Sequence, residues 1–285
     1  MRSAGLGIAV FVGLASGCSG EGESDEPEEV NWAEALLWHG MPRGDAYVGR
    51  VYTAEDRTRD SELNELAREG FHLMAIVPFG VQIAQHPVGV YGAGTAEIDQ
   101  ILGGADIDAY QPIHSARGQI VRMGHTDLSN GTLVAAYRPN VGPPAFDSIA
   151  VDSMELQDSY QDAVADGYVI NAGYEFGYAS IVYGQRVTGA PAYEGRIDRA
   201  SGAELDDVVA DISASGYVIT AVTSPLGTGY EIFAQRLAFE PLEGKVDQVQ
   251  GLENLADLVD ELSADGFAIK AVVGNSAGFT VFGQR

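Results

Sequence analysis

Leu205-Asp206-Asp207-Val208-Val209-Ala210-Asp211-Ile212-Ser213-Ala214-Ser215-Gly216-Tyr217-Val218-Ile219 is the stretch that decides the fold. Leu205, Val208, Val209 and Ile212 fall at i, i+3, i+4 and i+7, which makes one apolar face of an amphipathic helix. Ser201 and Glu204 have the spacing of a capping box at its start, and Gly216 with an aromatic behind it has the form of a Schellman stop. Leu255, Leu258, Val259 and Leu262 repeat the four offsets before Gly266-Phe267-Ala268-Ile269, and Gly167-Tyr168-Val169-Ile170 carries the same step upstream. The glycines of these three units are spaced 49 and 50 residues apart, and the same stride backwards reaches Gly118 and Gly70. A period of this length marks a repeat architecture.

Working outward, each unit gains three strands. A Gly-basic-aliphatic strand precedes the helix in Gly49-Arg50-Val51, Gly195-Arg196-Ile197 and Gly244-Lys245-Val246. Two strand-like runs follow it, separated by turn residues such as Asn130-Gly131, a hairpin signal. The second unit is the most degenerate, and Pro112 inside it predicts a short or kinked helix. The expected fold is α+β, with five tandem strand-helix-strand-strand repeats of about 49 residues at 46–91, 92–140, 141–189, 190–238 and 239–285. These are expected to close as a five-bladed β/α propeller, with an open curved array as the alternative. The last strand ends in Gln185-Arg186, Gln235-Arg236 and Gln284-Arg285. Two residues before each basic end the side chain is small, as Ala84, Ala136, Gly184, Ala234 and Gly283. Something must approach that face closely, either the unit's own helix or neighbouring strands.

The N-terminal end reads differently. Arg2, the apolar run to Leu14 and Ala15-Ser16-Gly17 form a signal segment over 1–17, too short to span a bilayer. Leu14-Ala15-Ser16-Gly17-Cys18 resembles the lipobox of bacterial lipoproteins. That resemblance implies acylation of Cys18 (palmitate among the acyl chains), membrane attachment through it and, with Ser19 following, retention in the outer membrane. Residues 18–30 read as an acidic, self-repelling tether, and 31–285 as a single repeat domain.

The repeat unit resembles a family of small bacterial domains of unknown function, through Ala67-Arg68-Glu69-Gly70-Phe71-His72-Leu73 and Ala264-Asp265-Gly266-Phe267-Ala268-Ile269. It is similar, more weakly, to the bacterial tandem repeats that precede polyglycine hydrolases. Five units of three strands and one helix also match the inventory of the pentein β/α propellers, an analogy of topology alone. Pentein enzymes that modify guanidines mostly use a cysteine near the chain end; here the single cysteine is Cys18.

Charge and motifs narrow the function. A net charge of −25 repels phosphate backbones and anionic lipid, which excludes nucleic acid as a partner. The five histidines lack metal-ligand spacing, no nucleophile elbow or dinucleotide fingerprint occurs, and no catalytic residue, metal or cofactor is expected. The candidate binding group is the set of strand-end basic residues His86, Arg138, Arg186, Arg236 and Arg285, which a closed ring would gather as a collar for an anionic small ligand. The alternative is that each arginine pairs with a helix carboxylate and fastens the repeats. The expected function is a lipid-anchored envelope protein acting as a non-catalytic binding or scaffold module for a small anion or an envelope protein. The alternatives are a hydrolase with its site on the repeat axis and a purely structural envelope protein.

Overall fold

The computed structural model describes residues 30–41, 43–53, 59–77, 81–88, 94–101, 104–125, 132–138, 145–151, 156–176, 179–224, 229–275 and 278–285. The signal segment, Cys18, the acidic tether up to residue 29 and the Asn130-Gly131 turn lie outside them. Residues Asn31–Arg285 form one compact unit. It is α+β, with six helices and five three-stranded antiparallel sheets among the described residues.

After a short helix α1 (Trp32–Leu37), each sheet is built from one repeat. The first holds β1 (Tyr47–Thr53), α2 (Arg59–Arg68), β2 (His72–Val77) and β3 (Val81–Pro87). The second holds β4 (Thr95–Ile101), α3 (Gly104–Ala116), β5 (Ile120–His125) and β6 (Thr132–Arg138). The third holds β7 (Phe146–Val151), α4 (Leu156–Ala165), β8 (Val169–Phe176) and β9 (Ala179–Val187). The fourth holds β10 (Glu194–Ala200), α5 (Leu205–Ala214), β11 (Val218–Thr223) and β12 (Tyr230–Arg236). The fifth holds β13 (Gly244–Val249), α6 (Leu252–Ala264), β14 (Ala268–Asn275) and β15 (Gly278–Gln284). In every sheet the last strand lies in the middle and pairs antiparallel with both others.

The helix stops follow the chemistry of the sequence. Gly70, Gly118, Gly167, Gly216 and Gly266 all have positive φ, between 69° and 92°. At Gly216 its own N–H bonds Ser213 O and the next N–H, of Tyr217, bonds Ile212 O, the paired closure of a Schellman motif. The capping box at Ser201 is only half made. Glu204 accepts from the Ser201 N–H and hydroxyl, and the helix begins at Leu205. Pro112 sits within α3, which still runs to 13 residues, so the expected shortening does not occur.

Each sheet is packed between two helices. On β12, Ile232 and Ala234 join Leu205, Val209 and Ile212 of the unit's own helix α5 in one core cluster. Phe233, on the opposite face, packs its ring against Tyr160 of the preceding helix α4 at 5.6 Å. The small residue two before the basic end therefore faces the unit's own helix. The glycine of the first strand answers the preceding helix: a Cβ on Gly195 would come within 2.7 Å of Tyr160 and Val164. Helices α2, α3, α4 and α5 each pack on the first strand of the following unit, and α6 packs on β1. The second strand of each unit, at one edge of its sheet, meets its neighbours in cyclic order as well, β2 on β5, β5 on β8, β8 on β11, β11 on β14, and β14 on β2.

The polar contacts between units are made by the glutamines of the Gln-Arg ends. Gln284 accepts from Ile219 N at 2.7 Å and donates to Tyr217 O at 3.0 Å and Ser213 Oγ at 2.8 Å. Gln185 does the same to Val121 N, Gln119 O and Ser115 Oγ, and Gln235 to Ile170 N and Tyr168 O. Gln85 of the first unit reaches the fifth, taking Ile269 N at 2.6 Å and giving to Phe267 O and Ser263 Oγ. All four are buried completely. The second unit has Tyr137 at this position, and the preceding helix has Ala67 where α3, α5 and α6 have serine and α4 has Val164; Tyr137 and Ala67 lie in one apolar cluster.

Replacing Gln85 by Leu leaves the Ile269 N–H and the Phe267 carbonyl buried without this partner, and is expected to cost about 2–4 kcal/mol in urea unfolding. Gln185→Leu should cost as much. A Gln85 variant within about 0.5 kcal/mol of the parent, inside the range of ordinary surface changes, would mean that the first-to-last contact carries no stability.

Candidate functional site

One position per repeat lies four residues past the stop glycine: Met74, Arg122, Asn171, Thr220 and Lys270. The aliphatic residues around it repeat from unit to unit, while this residue differs chemically every time. In four of the five strands the pairing register shifts across it, between Leu73 and Ala75, Ile170 and Ala172, Ile219 and Ala221, and Ile269 and Ala271. A bulge of this kind leaves its residue outside the ladder and re-aims the side chain. In β5 the pairing is unbroken and Arg122 stands opposite Ala135.

All five residues line a single cavity of about 50 Å³ between the second strands of all five units, β2, β5, β8, β11 and β14. Ala75, Ala172, Ala221 and Ala271 line it beside them, as does Met123 from the second unit. Among the described residues no acidic side chain contributes to the wall. The space holds a few waters or a small solute.

Two cations are buried here. Arg122 is 4% exposed and donates through Nη1 to the Asn171 carbonyl, while its Nε and Nη2 have no partner among the described residues. Burial holds its pKa down to about 9. Lys270 is 2% exposed. Burial, then the positive charges of Arg122 and Arg43, hold its pKa well below the ordinary lysine value. Asn171 donates through Nδ2 to Gln185, and its Oδ1 is buried without a partner among the described residues. Thr220 gives its hydroxyl to Phe233 O and Gln235 Oε1, both at 3.3 Å.

The chain just after α1 holds the lysine. Lys270 Nζ donates to Leu37 O at 2.7 Å and lies 4.5 Å from the centre of the Trp38 ring. His39 Nε2 bonds Lys270 O at 3.0 Å, and His39 takes a left-handed backbone conformation, φ 61°, to do so. Trp38, His39 and Met41 are all buried. The N-terminal piece is thus built into the core next to the cavity.

The strand-end arginines lie elsewhere, and none of them lines the cavity. Arg236 is clasped within its own unit by Glu194 across the strand pair, by Ser215 O at the end of α5 (3.0 Å) and by the Tyr217 ring (4.6 Å). Arg285 makes the same three contacts with Glu243, Asp265 O and Phe267, and Arg186 with Asp147, Asp166 O and Tyr168. The carboxylate partners belong to the unit's own first strand or the segment leading into it. They are not helix acids, and the clasp does not join repeats. Arg138 is exposed opposite Thr95, and His86 bonds Pro87 O and meets the Phe71 ring edge-on. Sequence reasoning takes the arginine as the functional half of the Gln-Arg end and passes over both the glutamine and the cavity position. The signal for the latter is a chemically variable residue at a fixed step from the glycine.

Among the described residues no group of three or more His, Cys, Asp or Glu side chains converges on a metal-sized space. Among them, too, no helix is long and apolar enough to cross a membrane. No protein-family model, curated protein or solved structure matches the chain.

Lys270 gives the cavity a pH signature. Its folded pKa lies below the unfolded value, so between the two the unfolded chain binds more protons and stability rises with pH. The slope has a ceiling of about 1.4 kcal/mol per pH unit for one proton. The charged or titratable neighbours are Arg122, Arg43 and His39. As pH rises toward the ordinary lysine pKa the parent is expected to gain stability relative to Lys270→Met, measured by urea unfolding at each pH. Parallel curves would show that the lysine does not change protonation on folding.

Proposed function

We propose that this chain is a lipid-anchored envelope protein acting as a non-catalytic binding module, with its five units closed as a five-bladed β/α propeller and its ligand held in the central cavity. The observation that carries the reading is the pair of buried cations, Arg122 and Lys270, in a wall without an acidic residue among those described. Burying a charge is costly unless it is paired, and a protein with 41 acidic residues has many pairing partners available. Leaving both cations without a carboxylate at the centre suits an anion supplied from outside. The closed arrangement is supported by the cyclic order of strand contacts and by Gln85, which serves the fifth unit as the other glutamines serve their neighbours.

The anchor half of the reading rests on the lipobox resemblance. Acyl chains on Cys18 would hold the chain in the outer membrane, and the acidic run after it would keep the repeat domain off an anionic surface. The strand-end arginines fit a fastening role, since Arg186, Arg236 and Arg285 each tie a carboxylate on the first strand or just before it to the end of a helix and to an aromatic ring.

Two measurements test the halves separately. On detergent phase separation of cells expressing the chain, the parent is expected in the detergent phase and Cys18→Ser in the aqueous phase; a Cys18→Ser protein that stays with the membrane overturns the anchor. For the cavity, at least one small anion among chloride, phosphate and acetate should raise the melting temperature saturably. The gain is about 2.7 kcal/mol at a hundred times Kd. A thermal scan flat to all three overturns the binding site.

A further inference from the structure

The unsatisfied atoms of Arg122 specify the kind of anion. Its guanidinium uses Nη1 on the Asn171 carbonyl and leaves Nε and Nη2 without partners among the described residues. Those two N–H groups point the same way along one edge of the planar group and form the fork that matches the two oxygens of a carboxylate. A spherical anion would use such an edge less well. Lys270 supplies a second positive centre close enough to repel Arg122. Ala172, Ala221, Ala271 and Val272 add an apolar part to the wall beside them. The space has a volume of about 50 Å³, and its wall mixes the two basic side chains and the polar Asn171 and Thr220 with apolar ones.

We infer that the central cavity binds a short-chain monocarboxylate, its carboxylate bidentate on Nε and Nη2 of Arg122 in the field of Lys270 and its alkyl end against the alanine wall. This inference rests on the central cavity being the binding site and adds the class of ligand. The rest of the geometry agrees with a small, singly charged guest. Among the described residues the wall presents no acid to receive an amino group, which disfavours an amino acid, and no additional cation for a dicarboxylate or a phosphate. The buried acceptor left over there is Asn171 Oδ1, too little to solvate an ammonium.

The test is titration calorimetry on the detergent-solubilised full chain in chloride-free buffer, with sodium acetate and sodium propionate as probes. Sodium chloride and sodium phosphate at matched ionic strength are the comparisons. Acetate or propionate should bind one to one, and more tightly than chloride or phosphate. Arg122→Met should abolish the heat while Arg236→Met, which removes the same charge from a strand end, leaves it unchanged. If Arg122→Met fails to fold, Arg122→Lys keeps a charge and loses the fork; its carboxylate affinity should fall at least about tenfold while its circular dichroism matches the parent. Binding of chloride or phosphate in preference to the carboxylates overturns this inference and leaves the cavity a binding site. Carboxylate binding undiminished in a folded Arg122 variant also overturns it, by placing the ligand elsewhere. Absence of heat with every anion overturns the inference together with the reading beneath it.

Discussion

The structure depends on giving partners to the backbone of one buried strand edge. Each sheet has the second strand of its unit at one edge, and the five sheets share no ladder, so the outer N–H and C=O groups of those strands would be buried between units unpaired. Such groups are costly, and an open edge also invites unwanted pairing. At the junction of the first and second units Tyr137 stands in an apolar cluster instead; at the other four a glutamine of the neighbouring unit supplies what a further strand would have supplied. Its amide accepts from one backbone N–H and donates to the carbonyl two residues earlier. This side chain satisfies the edge, fixes the spacing of the units and leaves no room for slippage, because its reach is a single amide.

Once the edges are tied in this way, the middle of the molecule is free of structural duty. These second strands turn one residue each toward a common space, four of them at a bulge, and the packing around it is carried largely by Leu, Ile, Val and Ala on either side. Met, Arg, Asn, Thr and Lys all occupy the equivalent place. A position that tolerates such chemistry while its neighbours remain aliphatic is one where the scaffold asks for nothing in particular. What stands there can be set by what the cavity holds, and here that includes two basic side chains in a wall without an acidic residue among those described, inside a strongly negative chain.

The arginines that follow the glutamines illustrate how a strong sequence pattern can belong to the fold. Each caps the carbonyl end of its helix, where a positive charge also meets the helix dipole favourably, and lies over the ring that closes the Schellman stop. Its carboxylate partner is part exposed, so the ion pair itself adds little, about 0–1 kcal/mol, and the carbonyl bond and the ring contact matter as much. A basic residue recurring on a regular stride suggests a collar around an axis. The stride is real, but the side chain turns back onto its own unit.

Much of this was legible in the chain. The helical face of Leu205, Val208, Val209 and Ile212, the stop at Gly216 and the strands around them are local matters of periodicity and backbone conformation, and the α+β class with one sheet per repeat follows from them. The small residues of the last strand likewise announced a close approach. Local rules could not say which face of that strand meets which helix, because Ala234 and Gln235 differ by one step and the step decides between the unit's own helix and its neighbour's. Nor could they place Arg122 beside Lys270: the two are 148 residues apart, and only the order in which the sheets pack brings them to one cavity. Periodicity is set by each residue's immediate neighbours, whereas the partnership of two buried charges is set by the packing of whole units.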